Sequence, residues 1–268
     1  MLKGIDVSKH QGIIDWSKVR ADFAIIRAGY GKYQSQADTQ LKANMEGCKK
    51  HGIPVGVYWY SYATTVADAK LEAQTCLAVI KPYKDQIVLP VFFDQEYEKP
   101  IVALSNSART EICKTFCELV KAAGYHPGIY ASYDWFKNKL IIKQLTGYPF
   151  WVAQYGSKCG YTGDNLYMWQ YSSIGKVDGI KGNVDMDEGY FTLPENGAKW
   201  VKDSKGWKYG DAKNCWKWLN GYWYWFDSKG YAVTGWQTVE NKWYYFLTLN
   251  DGKKTGYPEC SCMEIADE

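Results

Sequence analysis

Short apolar segments alternate with amphipathic segments over the first 195 of the chain's 268 residues. The apolar runs predict strands at 23–31 and 53–63 and at GIYASY, FWVAQY and LYMWQY. The amphipathic runs predict helices at 37–51, 66–81 and 105–123. Ser105 or Asn106 is the predicted N-cap of the last helix. Strands that alternate with helices form parallel sheets, so this many repeats predict a closed or nearly closed α/β barrel. Because residues 148–193 contain strands but little helix, we expect an irregular (β/α) TIM-like barrel.

The chain changes character near residue 195, and eight of its thirteen tryptophans fall within residues 200–268. Two segments repeat there: Trp223 aligns with Trp243, Trp225 with Tyr245, Phe226 with Phe246, and Lys229-Gly230 with Asp251-Gly252. Each unit of about 20–30 residues is predicted to be a β-hairpin that buries its aromatics by stacking on a neighbour. We therefore predict a barrel over 1–195, a linker over 196–206, and a small all-β hairpin-repeat module of solenoid type over 207–268.

Composition excludes several classes of function. The net charge of +3 gives no polyanion-binding signature, and no apolar run approaches the ~20 residues of a membrane span. The three histidines, His10, His51 and His126, show no metal-ligand spacing, and the eight cysteines are scattered. We expect no metal, no cofactor, no nucleic-acid partner and reduced thiols. Because MLKGIDVSKHQG lacks the apolar region of a secretory signal, we expect synthesis in a cytoplasm without a signal peptide.

Carboxylates follow the apolar run in VLPVFFDQEYEKP, residues 88–100. On a strand Asp94 and Glu96 face the same way, about 6–7 Å apart along the backbone, and Glu98 continues the row if the strand runs so far. Two neighbouring charges repel, which is tolerated more readily when one carboxyl is protonated, as a general acid is. The stretch therefore predicts a proton-transfer pair, and the alternative is a strand end that meets solvent.

Two further carboxylates, Asp6 and Asp185, also follow short predicted strands. Strand ends from distant segments converge on the mouth of a barrel, so all four carboxylates are expected to face one cleft. Aromatic side chains are predicted near the same ends: Tyr58, Tyr60 and Tyr62 on one strand face, and Tyr130, Trp151, Tyr155, Trp169 and Tyr171 on other strands. Aromatic faces and acids together suit a carbohydrate, although each aromatic taken singly is also typical of a core.

Five segments in this order, GIDVSKHQGIIDW, AIIRAGYG, PVFFDQEYE, FWVAQY and GNVDMDEGYF, resemble glycoside hydrolase family 25, the N-acetylmuramidases of cell-wall lysozymes and phage endolysins. The resemblance covers about residues 2–193. It implies an irregular β/α barrel that cleaves the β-1,4 bond after N-acetylmuramic acid in peptidoglycan. Glu96 then resembles the general acid, and Asp94 either the nucleophile or the group that orients the substrate's own N-acetyl group.

By the same resemblance Asp6 and Asp185 are supporting carboxylates of the cleft. We expect the substrate to be bound by Tyr58, Tyr60, Tyr62, Tyr130 and Trp151, and by Gln170 in the LYMWQY strand. Trp59 stands where family members often have histidine, which is expected to alter a subsite. The missing signal segment favours a phage endolysin, and a bacterial autolysin stays open. A non-catalytic wall-binding barrel is the main alternative function; a zinc amidase or cysteine endopeptidase is disfavoured, since no His/Cys spacing supports it.

The C-terminal repeats resemble choline-binding cell-wall-binding repeats. Trp223 and Trp225, and then Trp243 and Tyr245, are predicted to project from one face of each hairpin, with Trp236 closing an aromatic box. Such boxes bind quaternary ammonium groups by cation–π attraction, so a wall polymer such as choline-bearing teichoic acid is the expected ligand. These aromatics are alternatively the core of a small β module. A second chain is a further way to complete so short a stack, through a homo-oligomer.

Overall fold

The computed structural model describes residues 1–193, 200–219, 222–240, 242–246 and 263–265. The chain divides into two compact units, Met1–Phe191 and Thr192–Glu268. The predicted boundary at 195, the first part of the predicted linker (196–199), the Asp251-Gly252 turn and the last two cysteines, Cys260 and Cys262, lie outside the described residues.

Eight strands close the first unit into a barrel in chain order. They are β1 (Leu2–Val7), β2 (Phe23–Tyr30), β3 (Val55–Tyr60), β4 (Ile87–Asp94), β5 (Pro127–Ser132), β6 (Phe150–Ala153), β7 (Leu166–Gly175) and β8 (Val184–Gly189). Neighbours from β1 to β7 are parallel, whereas β8 is antiparallel to both β7 and β1. The prediction of an irregular α/β barrel is confirmed, and the irregularity lies in the reversed last strand.

Four α-helices follow the earlier strands: α1 (Leu41–His51), α2 (Val66–Ile80), α3 (Lys99–Val102) and α4 (Asn106–Ala122). The predicted cap of α4 is Ser105, whose Oγ accepts a hydrogen bond from Ala108 N at 3.2 Å. Shorter helical turns lie at Lys9–Gln11, Gln34–Gln36, Lys81–Tyr83, Trp135–Lys139 and Ile142–Gln144. Residues 154–165 and 176–183 contain no helix, so the second half of the barrel has the little helix that the sequence predicts.

The layer behind the barrel strands, on the side away from the cavity, is a hydrophobic core. Trp59 is fully buried there and donates its Nε1–H to Gly31 O at 2.9 Å, while its neighbours Tyr58 and Tyr60 face the barrel interior. The expectation that Trp59 alters a subsite is therefore wrong, because the strand alternation turns it away from the cleft. Of the six described cysteines, which are all free thiols, Cys113 and Cys117 are buried in the core as their spacing on α4 predicts.

The second unit consists of short antiparallel strands: β9 (Trp200–Asp203) with β10 (Gly206–Tyr209), β11 (Cys215–Leu219) with β12 (Tyr222–Phe226), and β13 (Gly235–Val239), β14 (Lys242–Phe246) and β15 (Met263–Ile265) in one sheet. The all-β hairpin prediction is confirmed. Residues 200–206, which we expected in the linker, contain β9, a turn and the first residue of β10. The turn is held by Asp203 Oδ1, which accepts from Lys205 N and Gly206 N.

No helix within the described part of the chain is long and apolar enough to cross a membrane.

Candidate active site

A cavity of about 180 Å³ opens at the mouth of the barrel. Its lining takes at least one side chain from each of the eight strands, together with two loop residues: Asp6, Arg27, Tyr58, Tyr60, Asp94, Glu96, Tyr130, Trp151, Tyr155, Gln170 and Asp185. Carboxyl ends of parallel strands meet at one face of a barrel, and β8 reaches the same face with its amino end because it is reversed. The structure thus brings together all four carboxylates that the sequence singled out.

Asp94 and Glu96 reach the cavity by a different route from the one predicted. β4 ends at Asp94, and Glu96 lies on the following loop. The chain leaves the sheet because Glu98 N donates a hydrogen bond back to Glu96 O at 2.9 Å. Glu98 is also the N-cap residue of α3, which has Pro100 in its first turn. Glu98 does not continue the row: it lies outside the cavity lining and accepts a hydrogen bond from Tyr60 OH at 2.8 Å.

Burial shifts the pKa values of Asp94 and Glu96. It raises the pKa of Asp94 well above its ordinary value, and the neighbouring Glu96 adds to this while Arg27 opposes it. Burial also raises the pKa of Glu96, helped by Glu98 and Asp185. Asp94 Oδ1 is buried without a hydrogen-bond partner among the described residues. A carboxyl whose neutral form is favoured is the group that can give a proton at neutral pH, so the site has the electrostatics of general acid catalysis.

A chain of neutral donors holds Asp6 on the cavity floor. Gln170 Nε2 donates to Asp6 Oδ2 at 2.7 Å, and Gln170 Oε1 accepts from Tyr130 OH at 2.9 Å and from Tyr155 OH at 3.3 Å. The amide orientation of Gln170 is therefore fixed from both ends. Burial raises the pKa of Asp6 well above its usual range, with Asp187 and Asp185 adding to it.

Sequence reasoning missed two polar residues. Arg27 is the only cation among the described lining residues, and its Nε donates to Asp38 Oδ2 at 2.6 Å. Its signal was a charge inside the apolar strand FAIIRAGY. Asp187 is fully buried beside the cavity and accepts from Trp151 Nε1 at 2.8 Å. Its signal was the spacing of two from Asp185, which places both on one strand face.

The predicted aromatic residues divide into two groups. Tyr58, Tyr60, Tyr130, Trp151 and Tyr155 line the cavity, whereas Trp169 and Tyr171 do not. Trp151 contacts Tyr130 with ring centroids 4.4 Å apart. Tyr62 does not line it: β3 ends at Tyr60, the alternation stops, and Tyr62 is 49% exposed with its ring 5.2 Å from that of Tyr60. A role for Tyr62 in substrate binding stays a prediction for a glycan that extends past the cavity.

A buried carboxyl on α2 anchors the segment that carries Tyr62. Glu72 is 1% exposed; its Oε1 accepts from Tyr62 N at 2.8 Å, and Oε2 has no hydrogen-bond partner among the described residues. Burial raises the pKa of Glu72 to about 7, while hydrogen bonds from Ser61 and from the backbone of Tyr62 oppose the shift. The folded state therefore favours the protonated form of Glu72.

Glu72→Gln is expected to stabilise the protein above neutral pH. The pKa of Glu72 is about 7 in the folded state and about 4.3 in the unfolded state. The stabilisation from protonated Glu72 is therefore complete below about pH 4.3 and is lost as pH rises through about 7. The neutral amide avoids this loss, which is worth about 3–4 kcal/mol. Thermal unfolding at about pH 5 and pH 8 tests this, with Glu111→Gln on the exposed face of α4 as control. An equal effect of Glu72→Gln at both pH values contradicts it.

The second unit gathers aromatic side chains around two tryptophans. Trp216 lies with its ring centroid 6.2 Å from Trp223, 5.4 Å from Trp225, 5.0 Å from Tyr244 and 5.7 Å from Phe246. Trp236 lies 5.2 Å from Tyr245 and 6.4 Å from Trp243, within its own hairpin. Trp216, which the sequence analysis passed over, is central to the first cluster. Trp223, Trp236 and Trp243 are 42%, 56% and 59% exposed, so their faces are available to a ligand.

In chemical terms, the barrel mouth combines carboxyls of raised pKa with aromatic faces, and no group of potential metal ligands occurs in the described part of the chain. A barrel with such a mouth defines a glycoside hydrolase. Residues 5–180 match the family described as Glycosyl hydrolases family 25, and residues 212–256 match the Choline-binding repeat. The chain belongs to glycosyl hydrolase family 25.

Relatives with solved structures or curated names agree with this family. Lysozyme M1 of Streptomyces globisporus is 28% identical over 70% of this chain and 67% of its own length. The modular autolysin LytC of Streptococcus pneumoniae is 29% identical, with a TM-score of 0.62 over 69% of this chain and 46% of its own. The modular Cpl-1 endolysin, solved with a peptidoglycan analogue, is 25% identical, with a TM-score of 0.51 over 91% of this chain and 79% of its own.

Proposed function

We propose that the protein hydrolyses peptidoglycan at the β-1,4 bond between N-acetylmuramic acid and N-acetylglucosamine. The observation that carries this proposal is the pairing of Glu96 with Asp94 in a cavity walled by aromatic side chains, where burial raises the pKa of both carboxyls. The relatives support the substrate class: they include a lysozyme, and LytC was solved with a synthetic peptidoglycan ligand.

Glu96 acts as the general acid that protonates the leaving glycosidic oxygen. Its position on a loop at the cavity mouth leaves it partly exposed, whereas Asp94 is 3% exposed beneath it. Asp94 then either attacks the sugar carbon directly or orients the substrate's N-acetyl group for that attack. In both routes the carboxyls of Asp6 and Asp185 face the developing positive charge of the sugar and stabilise it.

The rings that line the cavity give the sugar its binding surface. Tyr58, Tyr60, Tyr130 and Trp151 present aromatic faces to the apolar faces of pyranose rings, and the fixed amide of Gln170 and the guanidinium of Arg27 offer hydrogen bonds to sugar oxygens.

Digestion of purified peptidoglycan tests the proposed bond. The expected products carry N-acetylmuramic acid at every new reducing end, identified by mass spectrometry after borohydride reduction. New reducing ends of N-acetylglucosamine would contradict the bond assignment. Wall binding without new reducing ends would favour the alternative of a non-catalytic binding protein. Autolysins and endolysins both occur among the relatives, so either biological setting suits this activity at the bacterial wall.

We further propose that the second unit retains the enzyme on a wall polymer that bears choline. The aromatic clusters around Trp216 and Trp236, and the match to the Choline-binding repeat, support this role. A quaternary ammonium group between two or three ring faces gains about 0.5–2 kcal/mol from each. Completion of the stack by a second chain stays a prediction, which the sedimentation coefficient with and without choline tests.

The double variant Trp236→Ala/Trp243→Ala is expected to weaken retention on a choline matrix by at least about tenfold, because two exposed ring faces are removed. Hydrolysis of soluble glycan fragments should stay unchanged, since both residues lie in the second unit. Tyr33→Ala, which removes a ring that is 62% exposed on the barrel, is the matched control. Equal retention of the double variant and the control would show that these tryptophans do not bind the ligand.

A further inference from the structure

Asp187 is a buried titratable group to which the proposed mechanism gives no task. Its side chain is 0% exposed. Oδ1 accepts a hydrogen bond from Trp151 Nε1 at 2.8 Å, whereas Oδ2 finds no donor among the described residues unless a neighbouring carboxyl supplies a proton. A buried carboxylate with an unpartnered oxygen is costly, so its presence calls for a physical reason.

The strand register places Asp187 diagonally across from Asp6, because Asp187 lies opposite Gly4, two residues before Asp6 on β1. On β8, Asp187 lies opposite Gln170 of β7, and Asp185 lies opposite Asp6 of β1. Asp185 and Asp187 are two residues apart and therefore share the inward face of β8. Since Gln170 also donates to Asp6 Oδ2, the carboxyls of Asp6 and Asp187 lie in one polar layer of the barrel.

Two hydrogen-bond branches end at this pair of carboxyls. One runs from Tyr130 OH through Gln170 to Asp6, and the other is the single bond from Trp151 to Asp187. All three donors are neutral, and no ion pair in the described part of the chain reaches either carboxyl. Two ionised carboxylates in such a layer repel strongly, and the repulsion is removed when one proton is held between them.

We propose that Asp187 is a positioning residue that shares one proton with Asp6 and so fixes both the Asp6 carboxyl and the Trp151 ring beneath the glycan; this role rests on the proposed hydrolysis of peptidoglycan. Burial raises the pKa of both carboxyls; the charge of Asp187 raises the pKa of Asp6 further, whereas the hydrogen bond to Asp6 opposes the rise in the pKa of Asp187. With one proton held between the two carboxyls, the pair titrates as a unit and carries one negative charge. Trp151, which lines the cavity and packs against Tyr58, Phe92 and Tyr130, has its N–H directed by Asp187.

Other titratable or charged groups face this pair and enter its titration. They are Asp185 on β8, Asp94 on β4, Arg27 on β2, Tyr58 on β3, Tyr130 on β5, and Tyr155 and Glu96 on loops of the mouth.

The variant Asp187→Asn tests the shared proton. The asparagine Oδ1 still accepts from Trp151, and its Nδ2 donates to Asp6, which then ionises without the charge of Asp187 beside it. The limb of the kcat/KM profile that reports Asp6 is expected to move to lower pH by at least about one unit. Asp187→Ala also removes the acceptor of Trp151, so its KM for glycan fragments should rise further.

Glu188→Gln is the matched control, because it removes the same charge from the next residue of β8, which pairs with Lys3. Its pH profile should match the wild type. If Asp187→Asn lowers kcat/KM by the same factor at every pH and does not shift the pH profile, Asp187 is only structural and the proposal is overturned. If the wild type releases no reducing ends, the proposed function fails instead, and the resonance measurement that follows then decides the proton sharing alone.

A measurement on the wild type tests whether Asp6 and Asp187 share a proton even if Asp187→Asn does not fold. The Trp151 indole N–H resonance, assigned with Trp151→Phe, should shift in one titration step as the shared pair gains or loses its proton, because its acceptor belongs to that pair. No shift of this resonance between about pH 4 and 9 would overturn the proposal.

Discussion

Glu96→Gln is expected to lower the rate of reducing-end release from peptidoglycan by about 10²–10⁴-fold, with wall binding unchanged. The amide has nearly the shape of the acid but cannot donate a proton to the leaving oxygen. Burial, Glu98 and Asp185 all raise the pKa of Glu96, so the wild-type side chain holds that proton to a higher pH than an exposed glutamate does. The rate is measured on soluble fragments and on whole walls, so that loss of chemistry is separated from loss of binding.

Glu98→Gln is the matched control for this variant. Glu98 lies two residues away and outside the cavity lining, and the amide can still accept from Tyr60 OH. Its rate should remain within a few-fold of the wild type. Near wild-type turnover by Glu96→Gln would show that another group protonates the glycosidic oxygen.

Asp94→Asn is expected to abolish most turnover and at the same time to stabilise the fold above neutral pH. The neutral amide is a far weaker nucleophile and orients an N-acetyl group less strongly, so a loss of at least about 10²-fold is expected. Burial and the charge of Glu96 raise the pKa of Asp94 well above its unfolded value. The stabilisation from its protonated form is therefore present below the unfolded pKa and lost as pH rises through the folded pKa.

The melting temperature of Asp94→Asn should exceed that of the wild type at about pH 8, and the difference should shrink towards about pH 4. Asp164→Asn removes an exposed carboxyl and should show no such dependence. A variant that loses both activity and stability at every pH would mean that Asp94 is needed for the fold itself.

The sequence predicted the barrel because strand and helix periodicities are local properties. It could not predict the direction of β8, because the side chains of VDMDEG alternate between the two faces of the sheet whether the strand runs parallel or antiparallel to its neighbours. The same limit explains Glu96: a spacing of two indicates a shared strand face only while the strand continues, and β4 ends at Asp94. Glu96 still lines the cavity, since the loop that follows the strand turns at the mouth.

The meeting of distant residues in the cavity could be predicted only for residues at strand ends, which the barrel topology brings together. Asp6, Asp94 and Asp185 follow predicted strands, and the barrel brings their ends together. Asp187 was missed because its burial depends on the register with Gln170 across β7, which is a tertiary property. Trp216 was missed because the stretched first repeat hides its cross-strand pairing with Trp225.

A crystal structure of the Glu96→Gln variant with a peptidoglycan tetrasaccharide tests the central claim most directly. We expect the glycan across the cavity, with the oxygen of the muramyl β-1,4 bond within about 3 Å of the side-chain amide at position 96 and the sugar carbon or N-acetyl group facing Asp94. A glycan bound with that oxygen away from position 96, or bound outside the mouth of the barrel, would contradict the account.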